Sequence, residues 1–359
     1  MTFHTIEDVE QALASQRYLP DRPLATSVFL AAQLQQPLLV EGEAGVGKTE
    51  VAKALAAATG SRLIRLQCHE GIDLHQALYD WDYQRQLLAI RAAESGTAGE
   101  VPEGRLFSRE FLLRRPLLDA LEEEGPVVLL IDEVDRADDE FEAFLLEFLS
   151  DFQVTIPELG TVEARGHPLV VITSNRTREL HDALKRRCLY HWIDYPTPER
   201  EQEIVRARLP DIPDEIAARV CAAVAKLRGQ ELYKLPGVGE TINWARALLA
   251  LDTDDLEEAL GVALKVREDI DRVREQGVLE GVCRGRARRR GHRQARRAGR
   301  AHGPHEQREL RGHHRAALTH RRAPRSRSRA RCPRAPSGPR QACRRARRRR
   351  RARAAPAPS

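Results

Sequence analysis

Residues 37–49 read Pro37-Leu38-Leu39-Val40-Glu41-Gly42-Glu43-Ala44-Gly45-Val46-Gly47-Lys48-Thr49. The apolar run 37–41 reads as a buried strand, and the Ala-rich run 50–58 that follows reads as a helix. Between them, 42–49 satisfies GxxxxGK[ST] in full, in the strand-loop-helix context that the motif requires. Its glycines let successive backbone N–H groups turn inward around phosphate oxygens, and the helix start adds its dipole. Gly42, Glu43, Ala44, Gly45, Val46, Gly47, Lys48 and Thr49 are therefore the expected phosphate-binding residues. Lys48 would reach the β and γ phosphates, and the Thr49 hydroxyl would ligate Mg²⁺.

Residues 127–131 are five consecutive aliphatics, as in a strand buried on both faces, and they end in Asp132-Glu133. Ligands of open parallel sheets bind at that strand edge. Asp132 would hold Mg²⁺ through its water shell, and Glu133 would orient and polarise the attacking water. A third buried run, 169–173, ends in Ser174-Asn175. Asn175 could bond the γ-phosphate or that water. Further on lies Leu184-Lys185-Arg186-Arg187-Cys188, where a guanidinium suits an arginine finger. Arg187 is preferred to Arg186, although spacing alone leaves both open.

The remaining pattern predicts helices over 5–19, 24–34, 72–93, 111–123 and 140–149, and a strand over 62–67. From Pro196 to about Arg274 it turns helical without strands. Alternating strands and helices followed by a helical block indicate an α/β domain and a smaller α domain. Trp81, Tyr83 and Trp192 read as packing aromatics.

Charge divides the chain sharply. Residues 281–359 hold 28 Arg and no Lys against two acids, Glu306 and Glu309, a net of +26. Residues 1–280 hold 31 bases against 51 acids, a net of −20, so the overall +6 describes neither part. The tail contains no Phe, Trp or Tyr and, among large aliphatics, only Val282, Leu310 and Leu318. It cannot offset chain entropy by burial and is expected to be disordered. Its Arg, Ala, Gly and Pro are what GC-rich DNA gives when read out of frame, and the composition shifts abruptly between Gly277 and Gly285. A frameshift is the expected origin. The alternative, nucleic-acid binding through the tail, gets no help from a body whose charge repels phosphate.

No apolar run approaches a membrane span, and 1–10 has no signal-peptide pattern. Six Cys without a CxxC pair point to free thiols in a reducing cytoplasm.

GEAGVGKT, LLIDEVDRAD and VITSNRTRELHDALKRRCLYHWIDYP, in this order, resemble the AAA+ ATPases and, more narrowly, their MoxR branch. LQCHEGIDLHQALYDWDYQRQLLAIR is similar to CoxD-type members of that branch. The resemblance spans about residues 5–276 and implies a P-loop NTPase αβα sandwich over 1–195 and a small all-α lid over 196–276, and it stops where the tail 277–359 begins. It implies ATP and Mg²⁺ as cofactors and a ring oligomer, commonly a hexamer, with Arg187 acting in trans. It further implies a partner bearing a von Willebrand factor A domain. The implied client is a metalloenzyme, the molybdenum–copper centre of carbon monoxide dehydrogenase in CoxD-like members, or a nitric oxide reductase or gas-vesicle client in sibling branches. The implied location is the cytoplasm, with attachment to the inner membrane face left open. One departure stands out. Many AAA+ lids carry an Arg at the start of a late helix, but in this chain that region reads Gly237-Val238-Gly239-Glu240-Thr241, with Arg246 one turn further on. Whether Arg246 takes that role stays open.

Overall fold

The computed structural model describes residues 3–95 and 106–283. Of the tail expected to be disordered over 277–359, residues from 284 on, and the frameshift origin, lie outside the described residues, whereas 277–283 are described and Leu279 is buried in the helical core. Five parallel strands form the central sheet: β1 (Leu38–Gly42), β2 (Arg62–Gln67), β5 (Val127–Asp132), β8 (Leu169–Ser174) and β9 (Leu189–Ile193). Their order across the sheet is β2-β5-β8-β1-β9. Two antiparallel pairs stand apart from it, β3 (Tyr79–Trp81) with β4 (Leu112–Arg114), and β6 (Gln153–Ile156) with β7 (Gly160–Glu163).

The aliphatic runs are buried on both sides, so their period of two distributes side chains between two cores. Leu38, Val40, Val128, Leu130 and Val171 face the helices Ile6–Ser15, Arg22–Leu34 and Lys48–Thr59. Leu39, Leu129, Ile131, Val170 and Ile172 face the other way, onto Leu117, Leu121, Leu145 and Phe148 of the helices Pro116–Glu122 and Asp139–Asp151. The result is the expected αβα sandwich. No strand follows β9 among the described residues. The chain continues as helices Pro198–Arg208, Asp214–Arg228, Val238–Leu251 and Arg267–Glu275 around a separate core that includes Val220, Leu227, Trp244 and Leu248.

Three expectations need correction. The helix expected over 72–93 is two helices, Leu74–Ala77 and Tyr83–Glu94, separated by β3. Asp73 and Asp82 each cap a fresh start, accepting the N–H of Gln76 and of Arg85, and so divide the pattern. The helix expected from 111 begins at Pro116, with Pro in its first turn and the preceding residues in β4. The β6–β7 hairpin and β9 had no counterpart among the expected elements. In β6 and β7 only Val154, Ile156 and Val162 are buried apolar residues, and runs of four carry too few turns of the period to register. Of the aromatics, Trp81 is buried and meets Phe107 edge-on, while Tyr83 is exposed. No helix among the described residues is long and apolar enough to cross a membrane.

Trp244 is the largest fully buried side chain of the helical core, and its indole N–H donates to the Leu256 carbonyl at 3.2 Å. Trp244→Ala should lower stability by about 3–5 kcal/mol, read as a shift of the urea unfolding midpoint of the full-length protein.

Candidate nucleotide site

The sheet register builds the site. Gln67 of β2 pairs with Asp132 of β5, and Ile131 pairs with Ile172 of β8. Glu41 of β1 lies between Ser174 and Trp192. The C-terminal ends of all five strands therefore reach one edge, where the loop 42–47 leaves β1 and the helix Lys48–Thr59 begins. Gly42 is required by close approach, since a Cβ there would lie 2.2 Å from the Ile193 carbonyl oxygen.

A cavity of about 890 Å³ opens at this edge. Ala44, Gly45, Val46, Gly47, Lys48 and Thr49 line it, together with Asp132, Glu133 and Asn175. Gly42 and Glu43 do not face it; instead their carbonyls accept the Lys48 ammonium at 2.8 and 2.7 Å. Burial pushes the Lys48 ammonium below its ordinary value, against the pull of Asp135, Glu43 and Asp132.

Asp132 is the best-connected group at the edge. Its Oδ1 accepts the hydroxyls of Thr49 at 2.9 Å and Thr173 at 2.6 Å. Its Oδ2 accepts Arg65 through Nε at 3.0 Å and a terminal nitrogen at 2.5 Å. The Thr49 hydroxyl and the Asp132 carboxylate are hard oxygen donors side by side, the donor set that suits Mg²⁺. Glu133 sits in the left-handed region, φ 56°, a conformation that costs a non-glycine residue about 1–2 kcal/mol. Its backbone N–H donates to the Thr173 hydroxyl at 2.9 Å. Its carboxylate accepts the side-chain amides of Asn175 at 3.3 Å and Gln67 at 3.1 Å.

Thr173, Asp135, Arg65 and Gln67 were not singled out from the sequence. Asp135 is buried and accepts the backbone N–H of Asn175 at 3.1 Å, the N–H of Thr177 at 2.8 Å and the Thr177 hydroxyl at 2.6 Å. It thereby fixes the loop that carries Asn175. The one available signal was a third acid two residues after Glu133. Arg65 and Gln67 gave none, because alternating polar residues on an edge strand read as solvent-facing.

Arg187 lies outside this cavity. It is exposed, bonding Ser150 Oγ at 3.0 Å and the Ala183 carbonyl at 3.3 Å. Arg186 is also exposed and does not line the cavity. Arg246 does line it, from the helix Val238–Leu251. That helix touches the phosphate loop itself, where the Val238 N–H donates to the Gly45 carbonyl at 2.9 Å. A Cβ on Gly237 would lie 2.7 Å from Gly45 Cα.

Burial pushes the Asp135 carboxyl up, but the hydrogen bonds from Thr177 and Asn175 outweigh it, leaving the group below its ordinary value. Asp135→Ala should cost about 3 kcal/mol near neutral pH, because buried donors lose a charged acceptor. Since the folded-state value is depressed, that stabilisation is complete above about pH 5 and is lost as pH falls through the folded value. The gap between the denaturation midpoints of the two proteins should therefore begin to narrow as pH falls below about 4 and go on narrowing with further acidification.

Residues 37–188 match the model of the AAA domain, dynein-related subfamily. The chain is similar to chaperone protein ClpB 1 of Thermosynechococcus vestitus, 30% identical over 159 residues that cover 44% of this chain and 14% of the relative. ClpB 2 of Parasynechococcus marenigrum is 32% identical over 159 residues, with the same coverage of 44% and 14%. ClpB of Bacillus anthracis is 25% identical over 193 residues, 53% of this chain and 18% of the relative. The chain thus spans less than a fifth of these relatives' length. The phosphate loop, the five-stranded parallel sheet and the family match converge on one assignment: residues 37–188 form an AAA domain of the AAA+ ATPase type.

Proposed function

We propose that the chain hydrolyses ATP as a MoxR-branch AAA+ machine and uses that cycle to remodel a metalloenzyme. One observation carries the hydrolytic part: Lys48, Thr49, Asp132, Glu133 and Asn175 all line one cavity at the sheet edge. Loop N–H groups and the start of the helix Lys48–Thr59 bind the phosphates, and the Lys48 ammonium turns from the Gly42 and Glu43 carbonyls toward them. Thr49 and Asp132 would hold Mg²⁺, which would supply charge neutralisation to the bound phosphates. Glu133 accepts a hydrogen bond from the attacking water and polarises it. Asn175 keeps the Glu133 carboxylate aimed at that water through its 3.3 Å contact.

Arg187, exposed and outside its own chain's cavity, acts on the nucleotide of a neighbouring subunit. A ring, commonly a hexamer, supplies that neighbour. We divide the chain into the nucleotide-binding domain 1–195 and the lid 196–276. Arg246, lining the cavity from the lid, takes the role of the Arg missing from the helix start. Remodelling is supported by the likeness to proteins named chaperones. The CoxD-type assignment rests on the resemblance of residues 66–91. From it we take a von Willebrand factor A domain partner, a cytoplasmic location and a molybdenum–copper carbon monoxide dehydrogenase client.

Lys48→Ala should abolish nucleotide binding in the full-length protein. Glu133→Gln should bind ATP normally but release phosphate at least about a hundredfold more slowly. Glu133→Gln turning over at the wild-type rate would sink the mechanism. Arg187→Ala alone should bind without hydrolysing, and mixing it with Lys48→Ala should restore phosphate release at mixed interfaces. Restoration by the same mixing with Arg186→Ala instead would move the role to Arg186.

A further inference from the structure

Asp132 is 2% exposed, and a buried carboxylate left unpaired is costly. An ionised carboxylate offers about four acceptor positions. All four are filled from within the chain, two on Oδ1 by Thr49 and Thr173 and two on Oδ2 by the Arg65 guanidinium. The donors differ in freedom. Thr173 is buried in β8, whereas Thr49 only has to turn its oxygen to a metal. Arg65 reaches in from edge strand β2, and its side chain is 47% exposed. It also has a second acceptor beside it, the Gln67 amide oxygen.

We infer that Arg65 is a built-in counter-cation of Asp132 that competes with Mg²⁺ and so sets how much metal nucleotide binding requires. The inference rests on the nucleotide-site reading above. Water bound to a metal must donate to Asp132 as the guanidinium does, and the ion's charge repels a guanidinium held on the same carboxylate. The exposed Arg65 side chain is the donor that can swing away. Without metal it keeps the buried charge compensated. With metal it must yield, and the work of displacing it is subtracted from metal affinity. Arg65 is therefore a positioning residue for the metal ligand and takes no part in bond making.

The test measures binding of a fluorescent ADP analogue to full-length protein at pH 8 while Mg²⁺ is titrated from an EDTA-buffered zero. Arg65→Gln keeps an amide donor and removes the charge, and it should lower the half-saturating Mg²⁺ concentration about fivefold or more. Arg65→Lys should fall between wild type and Arg65→Gln, and it carries the comparison if Arg65→Gln does not fold. Affinity for the analogue in EDTA should stay within about twofold, because Arg65 opposes the metal and not the phosphates. In melting curves with ADP, Mg²⁺ should raise the Tm of the variant more than that of wild type. An unchanged or raised Mg²⁺ requirement in the folded variants overturns the inference while leaving the nucleotide site intact. Wild-type protein whose analogue binding ignores Mg²⁺ overturns both.

Discussion

A single buried charge organises this molecule. The Asp132 carboxylate ends a strand whose other residues are aliphatic and solvent-free, and it must be neutralised and hydrogen-bonded where it stands. The partners that do so come from three separate elements: Thr49 from the helix after β1, Thr173 from β8 and Arg65 from β2. Those contacts exist only if β2, β5 and β8 pair in the observed register. A one-residue slip would turn each side chain to the other face. The polar edge therefore depends on the two apolar cores, and the cores hold the edge to one geometry.

Strain is placed at the same point. Glu133 follows Asp132 in a left-handed conformation that side-chain sterics disfavour. It is held there by its own N–H on Thr173 and by amides from Gln67 and Asn175 on its carboxylate. Thr173 thus serves both acids, one through its hydroxyl hydrogen and the other through its oxygen. Asp135, one short turn on, pins the loop that brings Asn175. Asp132, Glu133, Asp135, Thr173 and Asn175, at the ends of two adjacent strands, form one connected network, and such networks can be worth more than pairwise deletions suggest.

Much of this was legible in the sequence because periodicity and motif chemistry are local. Apolar runs ending in Asp132-Glu133 and Ser174-Asn175 announce buried parallel strands with polar C-terminal ends, and the loop 42–49 announces phosphates. What stayed hidden is non-local. Arg65 and Gln67 look like the solvent face of an edge strand, and only the β2–β5 register brings them to Asp132 and Glu133. The helix expected over 72–93 failed for a local reason. Its apolar spacing is real, but Asp73 and Asp82 restart the backbone and leave room for a three-residue strand that pairs with β4, more than thirty positions later.

The helical part bears on the phosphate loop through backbone. With no Arg at the start of the helix Val238–Leu251, the nearest approach is Gly237 on Gly45, closer than any side chain would allow. The Val238 N–H bonds the Gly45 carbonyl, and the Tyr195 hydroxyl donates to the Ala44 carbonyl at 3.3 Å. Arg228 stacks on the Tyr195 ring and grips buried Glu201 with both terminal nitrogens, and Glu201 in turn accepts the Thr241 hydroxyl. That chain joins three helices to two carbonyls of the loop. A rearrangement of Ala44 or Gly45 around a phosphate must break, shift or carry these bonds, because neither Gly45 nor Gly237 has a side chain to absorb the displacement. Beside the charge of Arg246, which lines the cavity from the same helix, close packing of backbone on backbone couples helix to loop, and it falls off over fractions of an ångström, so it responds to small movements of the loop.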